Sequence, residues 1–518
     1  MKQPFPPGLL VAAPGSSAGK TVAALGLIRT LRGLGLAVAA AKTGPDFIDT
    51  AFLAQASGAP AANLDAWMCR PGARGRPRVP PAGLARLRQR LLAPVGEKAP
   101  DIWVVEGAMG LYDGGPAGAG GAAQLACVLG LPVLLLLNAR GMGQSAAALA
   151  EGFLRHEPRG GRPRFLGVLC THTGGAGHEH LLREALAPVL RREKLPLFGF
   201  LPRRGAPNLP SRHLGLVEAR EALADVDLDG LGRWFAAHCD VEGILRALGL
   251  SASAPARASG DETTKAPAHA DTAFFPCRAR RTGRHTERPR IGIARDAAFS
   301  FCYADLPALL AELGAEPVFF SPLADAAPPE GCAGLYFPGG YPELHAGALA
   351  ANGPMLAALR GLAARGLPVY GECGGYIYLM RELEAGGRRH ALAGLLPLAC
   401  QMGDRLAALG YREAAPLPGW LPEGKSPLLV RGHEFHYARL SSPELPRSCA
   451  PLWRVTDAAG MSRGTEGCRL GRVAGSWLHL YPEGSRRFWK AWLALTRTAP
   501  HPHTSPSAPG PRPELPCP

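Results

Sequence analysis

The fold of the N-terminal half depends on the stretch Leu9-Leu10-Val11-Ala12-Ala13-Pro14-Gly15-Ser16-Ser17-Ala18-Gly19-Lys20-Thr21. An apolar run of strand length leads into a loop of small residues, and a helical pattern over residues 22–34 follows. In such an arrangement successive backbone N–H groups surround an anion at the helix N-terminus. The stretch therefore predicts a strand, a phosphate loop and a helix of an α/β sheet.

The loop supplies candidate ligands for the phosphates of ATP, which are Gly15, Ser16, Ser17, Gly19, Lys20 and Thr21. Backbone N–H groups would hold the phosphates, the Lys20 ammonium would neutralise the β and γ oxygens, and the Thr21 hydroxyl would hold Mg²⁺. Pro14 stands where the strict motif has glycine, so the match is incomplete. The alternative is a Gly/Ser turn before a helix that carries a surface lysine.

Further apolar runs alternate with helical patterns, as a doubly wound sheet requires. They cover residues 37–41, 102–106, 132–138, 165–171 and 195–201. Most of these runs end at Gly, Asp, Asn or Thr, which places polar groups at the carboxyl edge of the sheet. The first half is therefore predicted to be a doubly wound α/β domain.

Acidic residues follow two of these predicted strands. They are Asp46 and Asp49 after the second strand, and Glu106 and Asp113 at and after the third. Carboxylates beside a triphosphate repel it unless Mg²⁺ lies between them, so we expect groups that bind metal or orient the substrate. Thr21, Asp46 and Glu106 are the candidate Mg²⁺ ligands. Each carboxylate could instead be a helix cap.

The second half contains another α/β pattern, with apolar runs at residues 291–294, 318–320, 335–337 and 368–370. Between the halves, residues 251–288 lose their periodicity, which is typical of a linker. The tail is Pro-rich, and we expect it to be disordered. The predicted organisation is one domain at 1–250, a linker at 251–288, a second domain at 289–495 and a tail at 496–518.

Cys373 is a candidate nucleophile because of the run in which it lies. The run reads Val369-Tyr370-Gly371-Glu372-Cys373-Gly374-Gly375-Tyr376. Glycines on both sides of a thiol, between a strand and a helix-like segment, predict a nucleophile elbow at a helix N-terminus that favours the thiolate. A buried, inert thiol is the alternative.

The remaining parts of a thiol site are also present in the second half. His479 follows a short β-like run and is the preferred base. Backbone N–H groups of Gly374 and of the loop at residues 337–343, Gly340 among them, are candidate oxyanion donors. His433 and His436 are rival bases, or else structural histidines or residues of a domain interface.

The composition excludes several classes of protein. The net charge is +15, but the basic residues concentrate at 70–90 and 278–290 without interleaved aromatic residues, so we expect no nucleic-acid partner. The longest apolar run, residues 129–137, is shorter than the about 20 residues of a membrane span and is expected to form a buried strand. The N-terminus has no export signal, and the twelve cysteines form no CxxC pair. A cytoplasmic protein with small-molecule substrates and one reactive thiol is predicted.

Together these motifs resemble the cobyrinic acid a,c-diamide synthase family. The segments that carry the likeness are 42–49, 106–114, 138–145, 212–216, 338–345, 371–376 and 432–437, and the likeness extends from Leu9 to about Leu493. The first domain is similar to dethiobiotin synthetase, whose phosphate loop also departs from the strict pattern. The resemblance implies a P-loop NTPase-like domain followed by a class I glutamine amidotransferase domain of flavodoxin-like fold.

The resemblance also implies a reaction. Cys373 would attack the side-chain amide of glutamine and release ammonia, while His479 moves the protons. In the first domain Mg-ATP would phosphorylate a substrate carboxylate, and ammonia would displace the phosphate. Two cycles would amidate the c and a acetates of a corrin ring, which makes the protein a carbon-nitrogen ligase with glutamine as amide donor.

Two positions depart from the pattern of the resemblance. Tyr481 stands where class I amidotransferases commonly have Glu, so the group that orients the base is unassigned and a Cys-His dyad is the expectation. Thr171 and His172 replace an Asn-Arg pair that is usual in the family. If these residues contact the nucleotide, its affinity or base preference would differ.

Several alternatives stay open. Hydrogenobyrinic acid or nickel sirohydrochlorin could replace cobyrinic acid as acceptor, and cobyric acid synthase is a neighbouring branch. A nucleotide-dependent switch of the ParA/MinD type would need a second lysine early in the phosphate loop, where Gly15 and Ser16 stand. The oligomeric state is open, with a homodimer as one alternative.

Overall fold

The computed structural model describes residues 5–73, 80–94, 98–115, 118–158, 161–206, 226–250, 274–277, 288–422 and 427–497. The segment 212–216 of the family resemblance lies outside the described residues, as do most of the predicted linker and tail. Within the described ranges, no helix has both the length and the apolar character needed to cross a bilayer.

The first domain is built on a seven-stranded parallel sheet with strand order β3-β2-β4-β1-β5-β6-β7. Its strands are β1 (Gly8–Ala12), β2 (Val38–Thr43), β3 (Ala62–Leu64), β4 (Ile102–Glu106), β5 (Val133–Asn138), β6 (Phe165–Thr173) and β7 (Leu197–Pro202). The central strands are buried on both faces, as in parallel sheets that are covered by helices on each side.

Helices cover both faces of this sheet. They are α1 (Lys20–Gly33), α2 (Phe47–Ser57), α3 (Ala82–Leu91), α4 (Ala122–Leu129), α5 (Ser145–Arg155), α6 (Ala176–Glu193), α7 (Leu228–His238) and α8 (Val241–Ala247). Alternate residues of β1 enter opposite cores: Leu10 packs into one apolar cluster, whereas Leu9 and Val11 pack into the other.

The second domain contains a ten-stranded mixed sheet. Its parallel half has β8 (Arg290–Ala294), β9 (Glu316–Phe320), β10 (Cys332–Phe337), β11 (Val369–Glu372) and β20 (Val473–Ser476), in the order β9-β8-β10-β11-β20. Numbered from the first strand of this domain, the order is 2-1-3-4-5, which is the flavodoxin arrangement. Ligands of such sheets bind outside the carboxyl ends of the strands, where Cys373 follows β11.

The other half of this sheet is antiparallel and consists of β19 (Ser462–Leu470), β18 (Ala450–Asp457), β15 (Ala408–Pro416), β16 (Val430–His436) and β21 (His479–Leu480). A separate four-stranded sheet contains β12 (Met380–Ala385), β13 (Arg388–Ala391), β14 (Leu396–Gln401) and β17 (Arg439–Leu440). The helices of this domain are α9 (Leu306–Glu312), α10 (Ala346–Ala351), α11 (Gly353–Ala364), α12 (Gly374–Leu379) and α13 (Arg486–Thr496).

The expectation of two doubly wound α/β domains is confirmed. The expectation that residues 129–137 form one strand is wrong at its start, because Leu129 ends α4 and Gly130 caps that helix with φ 70°. The strand begins at Val133. The short β3 and the antiparallel half were not predicted, and the exact domain boundaries stay a prediction.

Contacts between the domains are extensive. Tyr303 and Tyr481 of the second domain belong to the same apolar cluster as one face of the first sheet. The Arg431 guanidinium donates to the backbone carbonyls of Trp67 and Ala73, at 2.8 Å each. Because α2 and the loop before it lie at this interface, the carboxyl edges of the two sheets are brought close to each other.

Candidate active sites

The phosphate loop has the backbone that its small residues predict. Gly19 adopts φ 79° and Ser17 adopts φ 56°, both in the left-handed region. Lys20 is buried, and its Nζ donates to the carbonyl oxygen of Gly15 at 2.8 Å, across the loop. The alternative of a surface lysine is therefore wrong, because the ammonium lies inside the curve of the loop.

A buried cluster of charges lies beside this loop. The Thr21 hydroxyl donates to Oε1 of Glu106 at 2.7 Å, and Nζ of Lys42 donates to the same oxygen at 2.6 Å. Lys42 also donates to Oδ2 of Asp49 at 2.5 Å. Because Lys42 and Glu106 are register partners on β2 and β4, the cluster lies at the carboxyl edge of the sheet.

Lys42 belongs to this charge cluster, although the sequence pattern assigned it no role. The chain showed a lysine at the end of a predicted strand, next to Asp46 and Asp49, but its partner Glu106 lies on another strand. A cation buried to this degree is held by opposite charges, here the carboxylates of Asp49 and Glu106.

The residues of this cluster fit a magnesium ion bound with a nucleotide. Among the described residues, Oε2 of Glu106 is buried without a hydrogen-bond partner. Carboxylate and hydroxyl oxygens are the hard donors that Mg²⁺ prefers, and nucleotide sites supply few of them because the phosphates provide the rest. The described part of the chain has no group of three or more His, Cys, Asp or Glu that could hold a metal ion.

Asp46 and Asp113 have local partners. The Asp46 side chain accepts from the backbone N–H of Asp49 at 2.9 Å and caps α2. Oδ2 of Asp113 accepts from the N–H of Gly110 at 2.9 Å within its own turn. The capping alternative thus describes Asp46, and a role of either carboxylate toward metal or substrate stays a prediction.

The two residues that depart from the family pattern contact the phosphate loop. The Thr171 hydroxyl donates to the carbonyl oxygen of Ala18 at 2.9 Å. A Cβ on Gly19 would lie 3.5 Å from Cε1 of His172, whose own φ is 55°. Burial, followed by the nearby Arg140 and Arg203, lowers the pKa of His172. Arg140 after β5 and Arg203 after β7 therefore place positive charge near the carboxyl end of β6, beside the predicted nucleotide site.

The tight turn expected of a nucleophile elbow is present at Cys373. The residue adopts φ 49° and ψ −106° between β11 and α12, and its N–H donates to the carbonyl oxygen of Ser476 at 2.7 Å. Only glycine fits at Gly375, because a Cβ there would overlap the carbonyl oxygen of Phe337. Burial and the Glu343 carboxylate raise the pKa of the Cys373 thiol, whereas the N–H of Gly374 lowers it.

His479 lies on β21 and is the register partner of His433 on β16. Burial, assisted by His436, lowers the pKa of His479 to about 3. Its imidazole packs against the backbone of Gly339, where a Cβ would overlap the ring. Within the described residues, Nδ1 of His479 is buried without a hydrogen-bond partner. The imidazole is thus neutral at physiological pH, which is the form that accepts a proton.

The rival bases have partners of their own. His433 stacks on His479 with ring centroids 4.8 Å apart, and its Nδ1 lies 3.3 Å from the Tyr303 hydroxyl. His436 donates from Nδ1 to the carbonyl oxygen of Ala438 at 2.9 Å and stacks on Trp477. The pKa of both histidines is lowered by burial. These contacts favour the structural and interface alternatives for both residues.

The two candidate oxyanion donors are neighbours. A Cβ on Gly374 would lie 2.9 Å from the backbone N of Gly340 and 2.8 Å from Cδ of Pro342, so the two loops pack closely against each other. The Gly374 N–H is also close enough to the Cys373 thiol to lower its pKa. The structure therefore brings Cys373, Gly374 and Gly340 together.

No sequence signal pointed to Glu466, whose carboxyl group holds the segment at Ser476 and Trp477 in place. Glu466 accepts from the Ser476 hydroxyl at 2.7 Å and from the N–H of Trp477 at 2.6 Å. Burial raises the pKa of Glu466 to about 8. Tyr481, at the position where Glu was expected, donates instead to the backbone carbonyl of Asn63 in the first domain.

Both halves of the chain match described families. Residues 9–217 match the CobQ/CobB/MinD/ParA nucleotide binding domain, and residues 290–486 match the CobB/CobQ-like glutamine amidotransferase domain. A solved structure described as a glutamine amidotransferase covers 40% of this chain and 98% of its own, with 20% identity and a TM-score of 0.29.

Relatives match over nearly the whole chain. The hydrogenobyrinate a,c-diamide synthase of Rhodobacter capsulatus is 41% identical over 485 residues, which cover 92% of this chain and 98% of the relative. The protein of the same name from Rhizobium meliloti is 39% identical over 477 residues, with 91% and 98% coverage. The resemblance inferred from the motifs is confirmed: the chain belongs to the a,c-diamide synthase family of cobyrinic and hydrogenobyrinic acid.

Proposed function

We propose that the protein is a carbon-nitrogen ligase that uses ATP and glutamine to amidate the a and c carboxylates of hydrogenobyrinic acid. The observation that carries the proposal is that one chain holds both a cysteine elbow and a lysine-carboxylate phosphate site. The two domains that hold them are in contact, because the ring of Phe47 packs against His479. A thiol that releases ammonia and a site that activates a carboxylate are the two parts that such an amidation needs.

In the glutaminase half, Cys373 Sγ attacks the side-chain amide carbon of glutamine while His479 accepts the thiol proton. His479 then protonates the leaving nitrogen, so that ammonia departs and a thioester remains. Water hydrolyses the thioester to glutamate. The N–H groups of Gly340 and Gly374 hold the oxyanion of each tetrahedral intermediate. The raised thiol pKa and the lowered imidazole pKa describe a resting pair in which both groups are neutral.

In the ligase half, a carboxylate oxygen of the acceptor attacks the γ-phosphorus of ATP and ADP leaves. Ammonia then attacks the acyl carbon, and phosphate leaves to give the amide. Lys20 neutralises the transferred phosphoryl group, and Lys42 keeps Asp49 and Glu106 in place. Thr21 and Glu106 would hold Mg²⁺, which supplies charge neutralisation on the phosphate oxygens when it is bound.

The identity of the acceptor ring is the most specific part of the proposal. The sequence motifs favour cobyrinic acid, with hydrogenobyrinic acid among the alternatives, whereas the names of the relatives favour the metal-free ring. Both are polycarboxylates, so the net charge of +15 suits either. Cobyrinic acid is therefore the second candidate.

Mass spectrometry of the products tests the proposal. The protein would be incubated with Mg-ATP, glutamine and either hydrogenobyrinic acid or cobyrinic acid. We expect two amides on the metal-free ring and the loss of both when ATP is omitted. Diamide on the cobalt ring alone would move the assignment to the second candidate, and the absence of amide on both rings would refute the proposed acceptor class.

A further inference from the structure

Glu343 places a carboxylate beside the candidate nucleophile. The residue ends the loop at residues 337–343 and is half-buried. The loop packs against the cysteine elbow, because Pro342, the residue before Glu343, lies against Gly374. After burial, the charge of Glu343 is the strongest of the influences that raise the pKa of the Cys373 thiol. A charge acts in this way over only a few ångströms, so the carboxylate lies close to the thiol.

Among the residues that the structure describes, Glu343 has no positively charged partner. Burial raises the pKa of its carboxyl group to about 7, and the only hydrogen bond that opposes this rise comes from the backbone N–H of Glu343 itself. Glu434, whose charge also reaches Cys373, is by contrast paired with the Arg412 guanidinium at 2.8 Å. Burying a carboxylate without a cation costs free energy, which an arriving cation recovers.

The position of Glu343 does not suit a role in activating the thiol. A carboxylate next to Cys373 opposes formation of the thiolate, because like charges repel each other. Glu343 does not orient the base either, since Nδ1 of His479 has no hydrogen-bond partner in the described part of the chain. The carboxylate is thus placed to meet a positively charged group that enters the site from outside.

Free glutamine carries such a group. Its α-ammonium is a few bonds from the side-chain amide that Cys373 attacks in the proposed reaction, so both ends of the molecule lie near the thiol at once. We propose that Glu343 binds the α-ammonium of glutamine and thereby selects the free amino acid as nitrogen donor, an inference that rests on the proposed function. The ion pair offsets the negative charge that opposes the thiolate, so the thiol becomes more reactive when its substrate is in place.

The test compares the rates at which two reagents alkylate Cys373: a glutamine-like diazoketone, and the same compound without its α-amino group. In wild type the first should react at least about 10-fold faster, because a hydrogen bond to a charged group contributes to this extent. Glu343→Gln keeps the size of the side chain and removes its charge, so the ratio should fall toward unity. The reagent without the amino group should react no more slowly than with wild type, whereas a merely structural role would slow both reagents.

Two further measurements support this comparison. Glu343→Ala should lose the ratio as well, and it replaces the first variant if that one fails to fold. Turnover gives the same information through glutaramic acid, which is glutamine without the amino group. The preference of kcat/KM for glutamine over glutaramic acid should fall by at least about 10-fold in both variants.

Glu434→Gln is the matched control. It also removes a carboxylate whose charge reaches Cys373, but this carboxylate is already paired with Arg412, so the ratio of alkylation rates should stay at the wild-type value. A wild-type ratio near unity, an unchanged ratio in both Glu343 variants, or an equal loss in Glu434→Gln overturns the proposal. A ratio that depends on Glu343, in a protein that forms no amide on either ring, refutes the proposed function while the glutamine contact stands.

Discussion

The Phe47 ring of the first domain lies 5.5 Å from the His479 imidazole of the second, with an angle of 46° between the ring planes. Phe47 is the first residue of α2, and Asp49 on the same turn pairs with Lys42 of the phosphate site. One helix N-terminus therefore contributes to the surroundings of both candidate active sites.

Replacing Phe47 is expected to change the pH dependence of glutaminase activity. Desolvation lowers the pKa of His479 to about 3, and Phe47 provides part of the apolar cover. Phe47→Ala admits water, so the imidazole pKa rises toward the ordinary value of about 6.5. Since His479 must be neutral to act as base, the acid limb of kcat/KM for glutamine should move to higher pH. An acid limb that coincides with wild type would contradict the role of this ring.

Cys373→Ala separates the two half-reactions. Loss of the thiol should reduce glutamine-dependent amidation by at least about 10⁴-fold, as for other nucleophiles of covalent catalysis. Amidation with free ammonia should remain, because the ligase residues lie in the other domain. Cys400→Ala, at a buried cysteine of the same domain, is the control and should keep glutamine-dependent activity. Product formation with each nitrogen source is measured, and equal losses with both sources would argue against separate sites.

Lys42→Met is expected to destabilise the first domain. The substitution leaves the buried carboxylates of Asp49 and Glu106 without their cation, which costs about 3–5 kcal/mol in comparable buried pairs. The double variant Lys42→Met/Asp49→Asn removes one of the two charges and should recover part of the stability. Ammonia-dependent amidation should stay low in both. Urea unfolding gives the free energy of unfolding of each variant. If Lys42→Met were as stable as wild type, the ion pairs of Lys42 would not be needed for folding.

Gly375→Ala should disturb the elbow. The added methyl group would overlap the carbonyl oxygen of Phe337, so α12 must shift away from β10 and carry Cys373 with it. A misplacement of about 1 Å costs about 10²-fold in rate when reacting groups must be aligned. The matched control is Gly347→Ala in α10, where a Cβ meets no atom within 4 Å and activity should be unchanged. The test compares the glutaminase kcat of the two variants, and similar values would refute the packing argument.

The elbow, the phosphate loop and most strands of the parallel sheets follow from local chemistry, which explains why they could be predicted. Glycines around Cys373 and small residues before Lys20 determine backbone conformation within a few residues. The antiparallel half of the second sheet was missed because strands such as β15 and β19 are only partly buried and mix small and polar residues. β3, with three residues, is too short to show a period.

The sequence by itself determined the two motifs and their order along the chain, because a cysteine elbow and a phosphate loop are each built from consecutive residues. Only the tertiary structure decided that Lys42 lies between Asp49 and Glu106, that Asp46 caps α2, and that Tyr481 binds Asn63. Most of these contacts join residues on different strands or in different domains. Their formation depends on strand register and domain packing, which arise when distant parts of the chain bury their apolar surfaces together.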